Sequence, residues 1–256
     1  MFKTTEVTSH EITSDNPVHQ RLLFAYEEAS KLLGGNLLEI GCGVGRGLDI
    51  LINACEQYTA IDKNDKLIGM LTEKYPNLTL ITQNIPPFTG IADNTYDFVV
   101  SFQVIEHIKS DDLFVKEIHR VLKPGGKAII TTPNIKLSLT RNPWHIREYT
   151  AEGLEKLMAK YFAEVATHGV HGNEKVMEYY EQNKKSVEKI TKWDVLKLQY
   201  RLPRQVLQVP YDILNRMNRK KLHKQDDTLV AEINFDDYYL SNNPDESLDL
   251  FYIGTK

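Results

Sequence analysis

Glu106, His107 and His145 are the residues of this chain best placed to move a proton. Glu106 and His107 are adjacent, just past the apolar run Tyr96 to Phe102. His145 follows in Asn142-Pro143-Trp144-His145-Ile146-Arg147-Glu148-Tyr149-Thr150. A histidine is the natural acceptor for a hydroxyl proton at neutral pH. The plainer role for His107 and Glu148 is to cap helices and tie loops together. A second chemical feature is the turn Leu37-Leu38-Glu39-Ile40-Gly41-Cys42-Gly43-Val44-Gly45-Arg46-Gly47, followed 21 residues after Gly41 by Asp62. A buried strand that stops at alternating glycines lets the backbone pass close to a ligand. Asp62 ends the next strand, Tyr58 to Ile61, where a ribose would lie and where a carboxylate accepts from both hydroxyls. Together these residues predict a nucleoside cofactor.

The spacing of the glycines narrows the choice. A dinucleotide fingerprint places a third glycine where Arg46 or Leu48 stands here, so a nicotinamide oxidoreductase is disfavoured. The chain has Glu39-x-Gly41-x-Gly43-x-Gly45 instead, and this resembles the first motif of class I S-adenosylmethionine-dependent methyltransferases of the type 11/12 kind. The likeness continues in order through Asp62, Asp97-Phe98-Val99-Val100 and Val121-Leu122-Lys123-Pro124-Gly125-Gly126, spanning roughly residues 35 to 172. It implies S-adenosylmethionine as methyl donor and S-adenosylhomocysteine as product. It also implies cofactor contacts at Glu39, Gly41, Cys42, Gly43, Gly45, Asp62, Lys63, Asn84, Phe102 and Gln103. Glu39 would orient the loop or accept from the cofactor ammonium, Lys63 would cover the adenine, and Phe102 and Gln103 would line the methionine end. Asn84 stands where the family often has an aspartate reading the adenine amine; its amide oxygen accepts the same bond.

For the acceptor, the chain predicts O-methylation of a small or amphiphilic molecule of glycan, lipid or quinone type. His145, His107 and Glu106 are the candidate catalytic residues. The polar-Pro-Pro-aromatic signature of base amino-group methylation is missing, since Ile85-Pro86-Pro87-Phe88 lacks its polar first residue. Glu106-His107 with a later histidine is also similar to metal-dependent methyltransferases for quinone precursors and small-RNA ends. There a further glutamate three residues earlier binds the metal; here Gln103 holds that place, and an amide replaces a carboxylate poorly around a hard cation. No metal is therefore expected. A metal-assisted RNA or quinone O-methyltransferase and a non-catalytic S-adenosylmethionine-binding protein are the rival readings.

The elements that must position these residues follow from hydrophobic pattern. Strands alternating with helices predict a Rossmann-like, seven-stranded, mostly parallel α/β sheet with helices on both faces and the last strand antiparallel. The expected organisation is an N-terminal helical cap (1–34), a cofactor-binding core (35–172 and 245–256) and a mainly helical basic insertion (173–244). Pro203 and Pro210 predict two or three short helices in that insertion. Polar residues 1–16 lack the apolar stretch of a secretion signal, and Cys42 and Cys55 make neither a metal spacing nor a disulfide framework. A cytoplasmic protein is expected. The net charge of −4 conceals an imbalance: residues 184–224 carry eight lysines and four arginines against three acidic residues, +9, leaving the rest at −13. Aromatics interleave with these lysines, so the insertion reads as a lid or as a peripheral contact with an anionic membrane. Nucleic acid is disfavoured by the overall acidity.

Overall fold

The computed structural model describes residues 12–194 and 196–256; residues 1–11 of the expected N-terminal cap and Val195 lie outside the described residues. Helix α1 (Asn16–Ser30) leads into β1 (Asn36–Ile40), the glycine turn and α2 (Leu48–Ala54). The chain continues through β2 (Gln57–Asp62), α3 (Asp65–Lys74), β3 (Thr79–Thr82), β4 (Tyr96–Phe102), α4 (Asp111–Val121) and β5 (Leu122–Pro133). Then follow α5 (Ala151–Met158), β6 (Glu164–Gly172), the helices α6 (Glu174–Thr191), α7 (Leu198–Arg201), α8 (Arg204–Gln225) and α9 (Asp227–Glu232), and finally β7 (Tyr238–Ser241) and β8 (Asp249–Thr255).

The sheet order is β3-β2-β1-β4-β5-β8-β6-β7. Strands β1 to β5 pair in parallel, as near-continuous apolar runs covered on both faces should. β8 runs antiparallel between β5 and β6, as expected of the last strand. The sheet has eight strands rather than seven: β7 adds antiparallel to the outer edge of β6, pairing backbone groups that an edge strand would otherwise leave open. The insertion is accordingly mainly helical, in α6 to α9, but ends in a strand. Its helices differ too, because α8 runs unbroken for 22 residues with Pro210 inside it. Pro210 and Val206, whose carbonyl loses its helical partner, are both exposed residues.

One face of the sheet is covered by α1, α2 and the buried sides of α6 and α8, through Phe24, Leu48, Leu51, Val176, Tyr179 and Leu222. α4 and α5 cover the other through Phe114, Ile118, Leu154 and Met158. Thr150 caps α5, its side chain accepting from the Gly153 N–H, as its position before the apolar run suggests.

Arg120 fastens the loop beyond β3 to α4. It grips both oxygens of Glu117 at 2.8 and 2.9 Å and also bonds Asp93, while Glu117 accepts from the Phe88 N–H. Arg120 holds the Glu117 carboxyl below the usual carboxylate range. A depressed carboxyl contributes stability in full above its unfolded pKa and loses it as pH falls through the folded value. Glu117→Gln is therefore expected to destabilise by about 1.5–3 kcal/mol at neutral pH. Denaturant titrations in acid should show the gap between variant and parent closing; a gap independent of pH would refute this account.

Candidate functional site

The glycine turn joins β1 to α2 by a backbone that side chains would block. Gly43 takes φ +53°, and a Cβ there would meet no protein atom, only the open cavity. Gly47 is needed for the opposite reason: its Cβ would stand 1.9 Å from the Tyr26 ring. Tyr26 thus sits against the turn, stacks edge-on to Phe102 at 4.7 Å, and donates to Glu39 at 2.8 Å. Tyr58 donates to the other Glu39 oxygen. Burial raises the Glu39 carboxyl while the two phenols pull it back. Glu39 is therefore held beneath the loop, on the side of orienting it, and does not line the cavity. Tyr26 and Tyr58 had no local signal, because only the fold brings α1 and β2 to Glu39.

Asp62, at the end of β2, accepts from the Gly43 N–H at 2.9 Å and the Asn64 N–H at 2.8 Å, one per oxygen. Each oxygen keeps a second lone pair for a hydroxyl. The turn, the opening at Gly43 and this tethered carboxylate fit a nucleoside with a polar tail.

A cavity of about 940 Å³ runs from the turn into the space beneath the helical insertion. Gly41, Cys42, Gly43, Phe102, Gln103, Glu106, His107 and His145 line it together. Gly45 and Glu39 lie behind that wall, and Asp62 and the exposed Asn84 stand outside it. Lys63 borders a smaller neighbouring cavity of about 250 Å³ with His107, Trp144 and Arg204. The far walls are apolar, formed by Leu22, Leu137, Val187, Leu207, Tyr211 and Leu214 among others.

The two histidines are differently committed. The His107 Nδ1 faces the Trp144 carbonyl at 3.0 Å and so carries its proton, leaving the Nε2 lone pair with no protein donor among the described residues. Burial first, then neighbouring His145, Lys63 and Arg204, push the His107 pKa down to about 4, keeping the ring neutral. At His145 both nitrogens are engaged. Asn142 accepts from the Trp144 N–H through Oδ1, so its amide nitrogen faces His145 Nε2 at 2.8 Å, and His145 Nδ1–H donates to Glu148 at 2.7 Å. Asn142, spaced three before His145 as Glu148 is three after, was legible as a bracket and missed. Glu106 is buried, accepts from the Thr132 hydroxyl at 3.0 Å, and is pushed up to about 7 by burial. Its carbonyl takes the Ile146 N–H, tying the histidine loop to the end of β4. The insertion is fastened to that loop as well: Arg204 donates to the His145 carbonyl and the Trp144 indole to Asp212.

Glu106, His107 and His145 bring ligand-capable atoms within 4.8 Å of one another. Two donors about 2.1 Å from one ion stand at most about 4.2 Å apart. A cation there would need every pair of its ligand atoms inside that limit and would need His145 to give up a present partner.

Residues 38–130 match the methyltransferase domain family. A protein of Mycolicibacterium smegmatis named a probable S-adenosylmethionine-dependent methyltransferase is 35% identical over 146 residues, 55% of this chain and 54% of that one. Residues 38–130 thus carry a methyltransferase domain of the class I S-adenosylmethionine-dependent kind. The cofactor of these methyltransferases is S-adenosylmethionine, whose nucleoside and polar tail the turn and Asp62 fit. A ubiquinone biosynthesis O-methyltransferase of Vibrio cholerae is 26% identical, over 46% of this chain and 51% of its own. The match spans about half the length of these two relatives. An S-adenosylmethionine-dependent methyltransferase structure from Archaeoglobus fulgidus shares the fold, with a TM-score of 0.55 at 15% identity over 92% of this chain and 94% of that one.

Proposed function

We propose that this methyltransferase methylates an oxygen of an amphiphilic acceptor, with His107 as the base. The observation that carries the reading is one continuous cavity with the glycine turn at one end, the free His107 nitrogen beside it and an apolar interior beyond. Such a cavity accepts an apolar body and presents its polar end at the turn. Bound S-adenosylmethionine supplies a methyl carbon already activated by positive sulfur. His107 Nε2 would take the hydroxyl proton of the acceptor as its oxygen bonds the methyl carbon, the methyl–sulfur bond breaking with its electron pair going to sulfur, so that S-adenosylhomocysteine would leave. Alignment supplies most of the rest, since holding two partners in line contributes on the order of 7–11 kcal/mol. We assign the holding of the nucleoside to Asp62, the turn and the neighbouring Lys63 and Asn84, and that of the methionine end to Phe102 and Gln103. Glu106 and His145 position the loop around His107. The likeness to a ubiquinone O-methyltransferase supports a quinone-type ring with an apolar tail as one member of this acceptor class.

Asp62→Ala is expected to weaken S-adenosylmethionine at least tenfold, because it removes charge-assisted hydroxyl bonds worth more than about 1.4 kcal/mol. Calorimetry showing unchanged affinity, or tighter binding of NAD than of the methyl donor, would sink the reading. The metal-assisted alternative rests on the Glu106–His107–His145 trio. Turnover that a chelator abolishes and Mg²⁺ restores would favour it.

A further inference from the structure

Helix α8 is apolar on two opposite sides, and only one of them is used by the fold. Leu207, Tyr211 and Leu222 face inward, towards the cavity or the core. On the other side Val206, Val209, Ile213 and Met217 recur at helical spacing and are 57%, 66%, 55% and 62% exposed. The same stripe continues through Lys220, Lys221 and Lys224, all exposed. Preceding α8 come exposed Trp193, Leu196 and Tyr200, with Lys192, Lys197 and Arg201 among them. None of these five lysines has an ion-pair partner among the described residues. Arg216 and Arg219, by contrast, turn inward to Asp15 and are spent on the fold.

We propose that the outer face of α8 lies on an anionic lipid surface and brings the cavity rim to it. A helix with apolar residues along one stripe, flanked by lysines, partitions into the headgroup boundary of a bilayer without spanning it. No helix among the described residues is long and apolar enough to cross a membrane, so the contact is peripheral. Each lysine near an anionic leaflet raises partitioning roughly fivefold, within a Debye length of about 8 Å at physiological salt. A second copy of the chain fits the stripe less well, because a two-fold contact would gather like charges along with the apolar residues. The rim belongs to the same elements. Leu214, beside Ile213, and Leu198 both line the cavity and are half exposed, and the cavity-lining Trp193 is almost fully exposed. The assignment of the bilayer as the source of the acceptor rests on the amphiphilic reading above; the docking itself does not.

Vesicles of phosphatidylglycerol with phosphatidylcholine, against pure phosphatidylcholine, test the docking by co-sedimentation. Retention should be at least about tenfold greater on the anionic vesicles and should fall as salt rises. Ile213→Glu with Met217→Glu, and separately Lys220→Glu with Lys221→Glu and Lys224→Glu, should each abolish it. None of these residues lines the cavity, so S-adenosylmethionine affinity measured by calorimetry should be unchanged in both variants. Equal retention on neutral and anionic vesicles, or variants that bind like the parent, would overturn the proposal. Concentration-dependent self-association abolished by the Ile213 and Met217 changes would give the face to a second copy and overturn it too. Docking with no methylation of any vesicle-borne amphiphile would leave the surface standing and remove the acceptor reading instead.

Discussion

His107→Ala is expected to lower kcat by about 10²–10³-fold while leaving S-adenosylmethionine affinity intact, the pattern of a lost general base. The expectation rests on the one ring nitrogen at the site with a free lone pair beside the cavity. His145→Ala should cost less, because its nitrogens are bound to Asn142 and Glu148, and its loss loosens the loop that holds Trp144 against His107. The two effects are separable by steady-state kinetics. The His107 variant should change kcat at constant cofactor affinity, whereas the His145 variant should also raise the acceptor KM. Near-normal turnover in His107→Ala would return that residue to a loop-tying role and send the search for a base elsewhere in the cavity.

Asp15→Ala should unfasten the helical insertion. Asp15 is fully buried at the start of α1 and takes the Arg216 guanidinium at 2.9 Å and the Arg219 guanidinium at 3.0 Å, both from α8. Removing one member of a buried ionic cluster leaves uncompensated charge and costs about 3–5 kcal/mol. The loss should appear as a lower melting temperature and as faster proteolysis within 204–225, with the β1–β5 half still binding S-adenosylmethionine. Replacing all three members, Asp15→Leu with Arg216→Met and Arg219→Met, should recover most of the stability, since apolar residues of similar size pack there without desolvating charge. If the single variant melts and cleaves like the parent, the cluster does not hold the helix.

The parts of this fold that the sequence discloses are those set by local pattern. β1 and β4 begin and end where their apolar runs do, at Asn36–Ile40 and Tyr96–Phe102, because buried parallel strands need no partner to be recognised. The turn at Gly41 to Gly47 and the cap at Thr150 are equally local. The features that stayed hidden depend on pairing across the chain. β7 is four residues in an acidic stretch, and nothing but the open edge of β6 makes it a strand. α8 passes through Pro210, which with Val206 is exposed in the fold, a placement that sequence does not disclose. Both His145 and His107 are legible in the sequence as candidate bases. Only the positions of the Trp144 carbonyl and the Asn142 amide show that His107 keeps the free nitrogen. Asp15 carried no signal at all, its arginines lying about 200 residues away.

The place of β8 imposes an order on synthesis. It leaves the ribosome after the other seven strands described, yet it sits between β5 and β6 rather than at an edge. Until it emerges, β6 and β7 have no way to join the sheet, and the facing edges of β5 and β6 stay unpaired. The nascent chain therefore carries a nearly complete cofactor half, from β1 to β5, beside an unattached pair of strands and four helices. The seven residues from Asp249 to Thr255 then turn two unfinished sheets into one.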